Sequence, residues 1–227
     1  MFSSRRRLLI ALPAAVVALG AGSFAVLRFT GDRPDEPAAA TRVVQPGAPG
    51  QPGRALSPVE QSKLPPPPAH TEADVQFMQR MIAHHAQALE MTALVADRAE
   101  SPEVSLLAGR IQTSQRDETA QMERWLTERG APVPGPHTHH AGHEAAMPGM
   151  LTPEQMSQLR QARGREFDRL FVDLMIRHHN GALTMVQQLY AAGGGLEPAT
   201  DRFAREVNAD QAIEIRSLQE LLAKLAG

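Results

Sequence analysis

Two stretches of this chain repeat one another closely enough to dictate how it is built. Phe77-Met78-Gln79-Arg80-Met81-Ile82-Ala83-His84-His85-Ala86-Gln87-Ala88-Leu89-Glu90-Met91 is matched by Phe171-Val172-Asp173-Leu174-Met175-Ile176-Arg177-His178-His179-Asn180-Gly181-Ala182-Leu183-Thr184-Met185. Phe, Met-Ile, His-His, Ala-Leu and Met recur at the same spacing in both. A repeat of this kind marks a domain made by doubling one supersecondary unit. The unit here is a helical hairpin, so the expected class is all-α: an antiparallel four-helix bundle of two repeated hairpins. The scarcity of aromatic residues, 4% of the chain, suits helices better than a β-sandwich.

On a helical wheel of about 100° per residue, Phe77, His84, His85, Ala88 and Met91 all fall within roughly 80° of Met81. Phe171, His178, His179, Ala182 and Met185 take the same places around Met175. Thioethers and imidazoles therefore share the face a helix would bury. Met alone on such a face fills gaps in a core. Paired His flanked by Met in both halves points beyond packing to a metal site. Thioether with imidazole suits Cu(I), and imidazole alone also suits Cu(II), Zn or Ni. Hard Mg or Ca would want carboxylates.

The partner helices carry a carboxylate in mid-stripe. The second helix reads Leu107, Ile111, Ser114/Gln115, Glu118, Met122, Trp125, and the fourth reads Phe203, Val207, Asp210/Gln211, Glu214, Leu218, Leu221. A buried carboxylate must be satisfied by something. Folding each hairpin about its turn, near 100 and near 195, brings Glu118 and Glu214 within a turn of the histidines. A His–Glu hydrogen bond satisfies both groups. The same bond would fix the tautomer of a ligating His.

The helices have readable ends. Thr71-Glu72-Ala73-Asp74 forms a capping box opening a helix to about Ala99. Ser101 and Pro102 open the second helix, which stops before Gly130-Ala131-Pro132. A short helix runs from Thr152 to about Ala162, and the third long helix from about Arg165 to Ala191. Gly181 inside it costs about 1 kcal/mol relative to Ala, so it implies close helix approach or a local bend. The fourth helix runs from about Pro198 to Leu225. The bundle domain thus occupies 71–227. Its central loop, 131–151, offers further copper-type donors: His137, His139, His140, His143, Met147 and Met150.

Residues 1–28 read as an export signal or membrane anchor. Arg5, Arg6 and Arg7 precede a mostly apolar stretch, 8–27, long enough to span a bilayer. Ser4-Arg5-Arg6-Arg7-Leu8-Leu9 has the look of a twin-arginine signal. Cleavage and anchoring both satisfy this pattern. Either way the remainder lies outside the cytoplasm, secreted or held to the membrane by this segment alone. Residues 29–70 form a Pro-rich linker, whose prolines preclude regular helix or a packed core. Net charge is −2 with no basic block after the N-terminus, which argues against nucleic acid as a partner. The absence of cysteine excludes thiolate metal sites, thiol catalysis and disulfides.

The doubled Met-Ile-x-His-His-x-x-Ala-Leu-x-Met pattern resembles the bacterial family named domain of unknown function 305. Met147-Pro148-Gly149-Met150-Leu151-Thr152-Pro153-Glu154-Gln155-Met156 and Gly164-Arg165-Glu166-Phe167-Asp168-Arg169-Leu170-Phe171 share in the likeness. So do Gln115, Glu118, Met122, Gln211 and Glu214. It spans about residues 71–226. The resemblance implies a ferritin-like bundle, usually exported, with copper-binding members tied to copper tolerance. It implies ligands drawn from Met81, His84, His85 and Met91 and from Met175, His178, His179 and Met185. Which His of each pair ligates, and whether the motifs share one site, the resemblance leaves open.

The resulting expectation is a non-enzymatic, extracytoplasmic copper protein. It would hold Cu(I) through Met and His, and Cu(II) through His, for sequestration, delivery to a copper-transfer partner, or tolerance. The alternative is a structural or interaction bundle with core His–Glu pairs, responsive to pH because His titrates near neutrality. A di-iron oxidoreductase needs Glu-x-x-His on two helices. Here Met81 and Met175 stand three residues before His84 and His178, and Ile82 and Ile176 three before His85 and His179.

Overall fold

The computed structural model describes residues 43–135 and 147–226. The expected signal or anchor, 1–28, and His137, His139, His140 and His143 lie outside the described residues. Among the described residues, no helix is long and apolar enough to cross a membrane.

The chain divides into two compact units, the first ending at Leu64. Within the first, β1 (Val44–Gln45) and β2 (Arg54–Ala55) pair antiparallel, Val44 opposite Ala55 and Gln45 opposite Arg54. A single helical turn, α1 (Pro58–Gln61), follows. The linker expectation needs correction here, because prolines there do not prevent short regular elements. Pro and Gly between residues 46 and 53 bend the chain back on itself. Ser57 and Glu60 form a capping box around Pro58 at the first helical turn. An exposed Arg54–Glu60 ion pair of 2.8 Å joins strand to turn. None of the residues in these elements is buried, so they bring no core with them.

The second unit is the all-α bundle, made of two antiparallel hairpins. The first pairs α2 (Glu72–Ala93) with α4 (Pro102–Glu128). One extra turn, α3 (Val95–Arg98), intervenes, so the helix expected to reach Ala99 breaks at Leu94. The second pairs α6 (Gly164–Ala191) with α7 (Pro198–Ala226). Between hairpins, α5 (Pro153–Gln161) is capped by Thr152. The hairpins meet along α2 and α6, with α4 and α7 closing the far side. His70, expected as the last linker residue, sets its ring edge-on against Trp125 at 5.6 Å, so packing begins just before the first cap.

Two buried carboxylates tie each hairpin to the other. Asp74 Oδ2 accepts from Thr71 N at 2.7 Å within its own capping box, while Oδ1 accepts from Gly195 N at 2.6 Å, in the turn between α6 and α7. Asp168, at the start of α6, accepts from Ser101 N at 2.8 Å and Glu100 N at 3.2 Å, in the turn between α3 and α4. Both residues are essentially solvent-free. The two aspartates lie ten residues before the first His of each pair and are thus part of the repeat. One end of the bundle carries a further lock. Arg129 and Trp125 of the first hairpin both donate to Glu197, and the guanidinium stacks 4.2 Å over the indole. Burial alone would raise the Glu197 pKa, but the hydrogen bonds from Arg129, Thr200 and Trp125 outweigh it and hold the carboxyl below its usual range.

The connection at 147–150 explains the glycine inside α6. Gly149, at φ +78°, lies against the α6 backbone; a Cβ there would stand 2.7 Å from Arg177 O and 2.8 Å from His178 O. A Cβ on Gly181 would overlap the Pro148 carbonyl. The close approach expected at Gly181 is therefore real, but the partner is this loop rather than a second helix.

Two substitutions test these contacts by thermal unfolding. Asp168→Ala strands two backbone donors, and we expect a loss of about 2–3 kcal/mol. Gly181→Ala should lower stability despite gaining about 1 kcal/mol of helix propensity, because overpacking against backbone costs about 1–3 kcal/mol. A rise in melting temperature for Gly181→Ala would refute the tight loop contact.

Candidate metal centre

The two His-His pairs are brought to one place. His84 on α2 and His178 on α6 stack with ring centroids 3.8 Å apart and planes inclined by 34°. His85 and His179 flank the stack, 6.4 Å from His84 and 6.2 Å from His178 respectively. All four imidazoles are at most 1% exposed. Helical spacing creates this arrangement. Adjacent positions lie about 100° apart on the wheel, so each pair points one ring at the facing motif helix and one toward its own hairpin partner.

The outward rings meet the mid-stripe carboxylates. His85 Nε2 lies 2.5 Å from Glu118 Oε2, and His179 Nε2 lies 2.7 Å from Glu214 Oε2. Ser114 Oγ donates to the other Glu118 oxygen at 3.3 Å. The two glutamates belong to one neighbourhood. Burial first, then the charges of Glu118 and Glu214, raise the pKa of Asp210 beside them. The inner rings differ from one another. His84 Nε2 donates to Pro148 O at 3.1 Å, whereas neither nitrogen of His178 has a partner. Nδ1 of His85 and Nδ1 of His179 are also buried and unpartnered.

Burial, followed by the neighbouring His85, depresses His84 to a pKa of about 3. Burial, followed by His84, holds His178 well below the usual histidine range. Both inner rings are neutral at physiological pH and keep a lone pair to offer.

The methionines divide into two groups, one on each side of the imidazoles. Met81 shares a buried cluster with Met185 and Met147, and Met150 packs against it from the edge. Met91 shares the other cluster with Met175. An antiparallel crossing of two equal helices demands this: the Met three residues before one pair meets the Met that follows the other pair. Met78 and Met122 join the first cluster and Met156 the second. Met122 was visible as part of the α4 stripe. Met78 and Met156 fall outside the doubled pattern and had no such signal. Among the described residues, no group of three or more His, Cys, Asp or Glu side chains is arranged to hold a metal ion. The donors present are soft sulfur and unpartnered, neutral nitrogen, a set that fits a copper ion rather than a hard cation.

The comparisons agree with this architecture. The family described as Domain of unknown function (DUF305) matches residues 74–222. A DUF305 fragment from Deinococcus radiodurans is similar at 36% identity and TM-score 0.61, covering 69% of this chain and 99% of that one. A putative secreted DUF305 protein from Streptomyces coelicolor is similar at 31% identity and TM-score 0.59, covering 68% and 94%. CopM, solved in a Cu(II)-bound form, is similar at 28% identity and TM-score 0.55, covering 66% and 96%. No curated protein matches the chain. With its doubled hairpin, paired histidines and matched length, the chain belongs to the DUF305 family.

Proposed function

We propose that this protein binds copper outside the cytoplasm, holding Cu(I) through methionine and histidine and Cu(II) through histidine. Met81, His84, His85 and Met91, with Met175, His178, His179 and Met185, are the donors. Their role is capture, storage or hand-over to a copper-transfer partner, not catalysis. The observation that carries the reading is the set of buried, unpartnered imidazole nitrogens at the centre. An unsatisfied buried polar atom costs about 1–3 kcal/mol, and a metal ion would satisfy several at once. CopM, solved in Cu(I)-, Cu(II)- and Ag-bound forms, supports the reading by likeness. The secreted description of the Streptomyces relative supports the location, as do the basic and apolar residues at the N-terminus.

The His–Glu bonds favour a second reading, because they give Nε2 of two buried imidazoles a partner without any metal. In that case the bundle is structural and its histidines respond to pH. Thermal unfolding with Cu(I) and with Cu(II) separates the two. A ligand of the folded state at 100 times its dissociation constant adds about 2.7 kcal/mol. We expect both ions to raise the melting temperature. No shift with either would sink the copper reading and leave the structural one.

Replacing Met81 and Met175 together by Leu conserves volume, so the fold should lose less than about 1.5 kcal/mol per site. The thioethers are gone, so competition titrations should show Cu(I) affinity falling further than Cu(II) affinity. Equal changes would remove these two residues from the site.

Acid should weaken the metal-free protein. The unfolded chain binds protons at histidine below about pH 6.5, whereas His84 in the folded state holds off until about pH 3 and His178 is likewise depressed. Between those limits the unfolded state carries more protons, so stability falls as pH falls, by up to about 1.4 kcal/mol per unit for each ring. Denaturant titrations from pH 7 to pH 4 measure this slope. Flat stability over that range would show that the rings are not buried neutral.

A further inference from the structure

For three of the four central imidazoles, the hydrogen-bond partner identifies the nitrogen that carries the proton. A carboxylate or carbonyl oxygen accepts, so the nitrogen facing it donates. Nε2 is that nitrogen in His85 against Glu118, in His179 against Glu214 and in His84 against Pro148 O. In a neutral ring the other nitrogen then holds the lone pair. For His85 and His179 this is Nδ1, buried and unpartnered in both. The acceptors sit on α4 and α7, which contribute no imidazole. Ring orientation on α2 and α6 is thus set from outside those helices, in the same way in both halves.

We propose that Glu118 and Glu214 are positioning residues that grip Nε2 of His85 and His179, so that Nδ1 is the metal-binding nitrogen of both rings. The inference rests on the copper reading and adds the ligating atom to it. Binding at Nδ1 breaks no existing hydrogen bond. Binding at Nε2 would take the donor away from a carboxylate that has little water to replace it; the Glu118 and Glu214 side chains are only 8% and 13% exposed. A carboxylate on the far nitrogen also makes the imidazole a stronger donor to metal.

The test uses the full chain labelled with ¹⁵N at histidine and long-range proton–nitrogen spectra at neutral pH, first metal-free and then with Ag(I) as a diamagnetic soft ion. The expected metal-free spectrum shows His85 and His179 protonated at Nε2 and bare at Nδ1. With Ag(I), both Nδ1 resonances should move and show coupling to silver, while the Nε2 protons persist. Protonated Nδ1 in the metal-free rings, silver at Nε2, or silver touching neither ring overturns the assignment. If no Ag(I), Cu(I) or Cu(II) is taken up at all, the copper reading itself fails, whatever the metal-free spectrum shows.

Substitution gives an independent arm. Gln retains an oxygen that accepts from Nε2, so Glu118→Gln with Glu214→Gln should keep the metal-free spectrum and lose less Cu(I) affinity than the Ala pair, the loss reflecting only the missing charge. Glu118→Ala with Glu214→Ala should mix the tautomers and lose about 10- to 100-fold in Cu(I) affinity. Equal losses in the Gln and Ala pairs would overturn the positioning role. Should the Ala pair fail to fold, the Gln pair and the metal-free spectrum still decide the question.

Discussion

The stacking of His84 on His178, where α2 meets α6, is the contact on which the rest of the bundle depends. Two imidazoles 3.8 Å apart, cut off from water, cannot both be charged at low cost. The inner pair is therefore neutral, and its surroundings follow from that. Its immediate neighbours can be sulfur and carbon instead of counter-ions. The carboxylates are pushed one ring outward, to His85 and His179. The thioethers gather on either side, where an ordinary bundle would place leucine. A polar centre and a well-packed core are thereby compatible along one interface.

A bundle with such a centre needs stability from elsewhere, and the repeat places it at the ends. Asp74 and Asp168 are helix-start residues that each hold the turn of the opposite hairpin. Neither hairpin can move along α2–α6 without breaking these bonds, so the register that stacks the histidines is held at both ends of the crossing. The symmetry is broken by the segment between the halves. Pro148 accepts from His84, but nothing accepts from His178, although the same segment presses Gly149 onto the α6 backbone beside it. Two rings alike in sequence thus differ in surroundings: one donates to the Pro148 carbonyl, and the other has the His84 backbone beside it without a well-formed hydrogen bond.

How far these features could be read in advance depends on whether they are local. Periodicity and caps are local, and the long helices fall where Thr71, Ser101 and the turn glycines put them. The His–Glu pairs were also legible, because folding a hairpin about a known turn is a one-dimensional problem. The crossing of α2 over α6 was not, since nothing within one helix states which of its faces meets the other hairpin. Whether the two His-His motifs meet was therefore open until His84 and His178 proved to be stacked. Asp74 read as an ordinary capping residue, because its second oxygen bonds a turn 121 residues away. Asp168 stood three residues before the repeated stretch, in the segment that shares the family likeness, with no local role at all. The Pro-rich stretch misled in the opposite direction: proline opposes long elements, yet two paired residues and a single capped turn lie within its tolerance.

The same geometry bears on which ions the centre can accept. A cation entering a dry, neutral cluster must exchange its water for donors of comparable strength and find compensating charge nearby. Mg or Ca would need several oxygen ligands, and the inner shell of this bundle offers sulfur and nitrogen. Copper forms strong bonds to both. The nearest carboxylates, Glu118 and Glu214, stand on the far side of His85 and His179, where they can compensate charge without occupying a coordination position. On the proposed copper reading, one hydrogen bond from each would do two things: leave Nδ1 of His85 and His179 as the nitrogen without a partner, and keep negative charge one ring away from the ion. A glutamate at position 81 or 175 would bring that charge into direct contact and turn the centre toward iron or manganese. Methionine at those two positions keeps it soft.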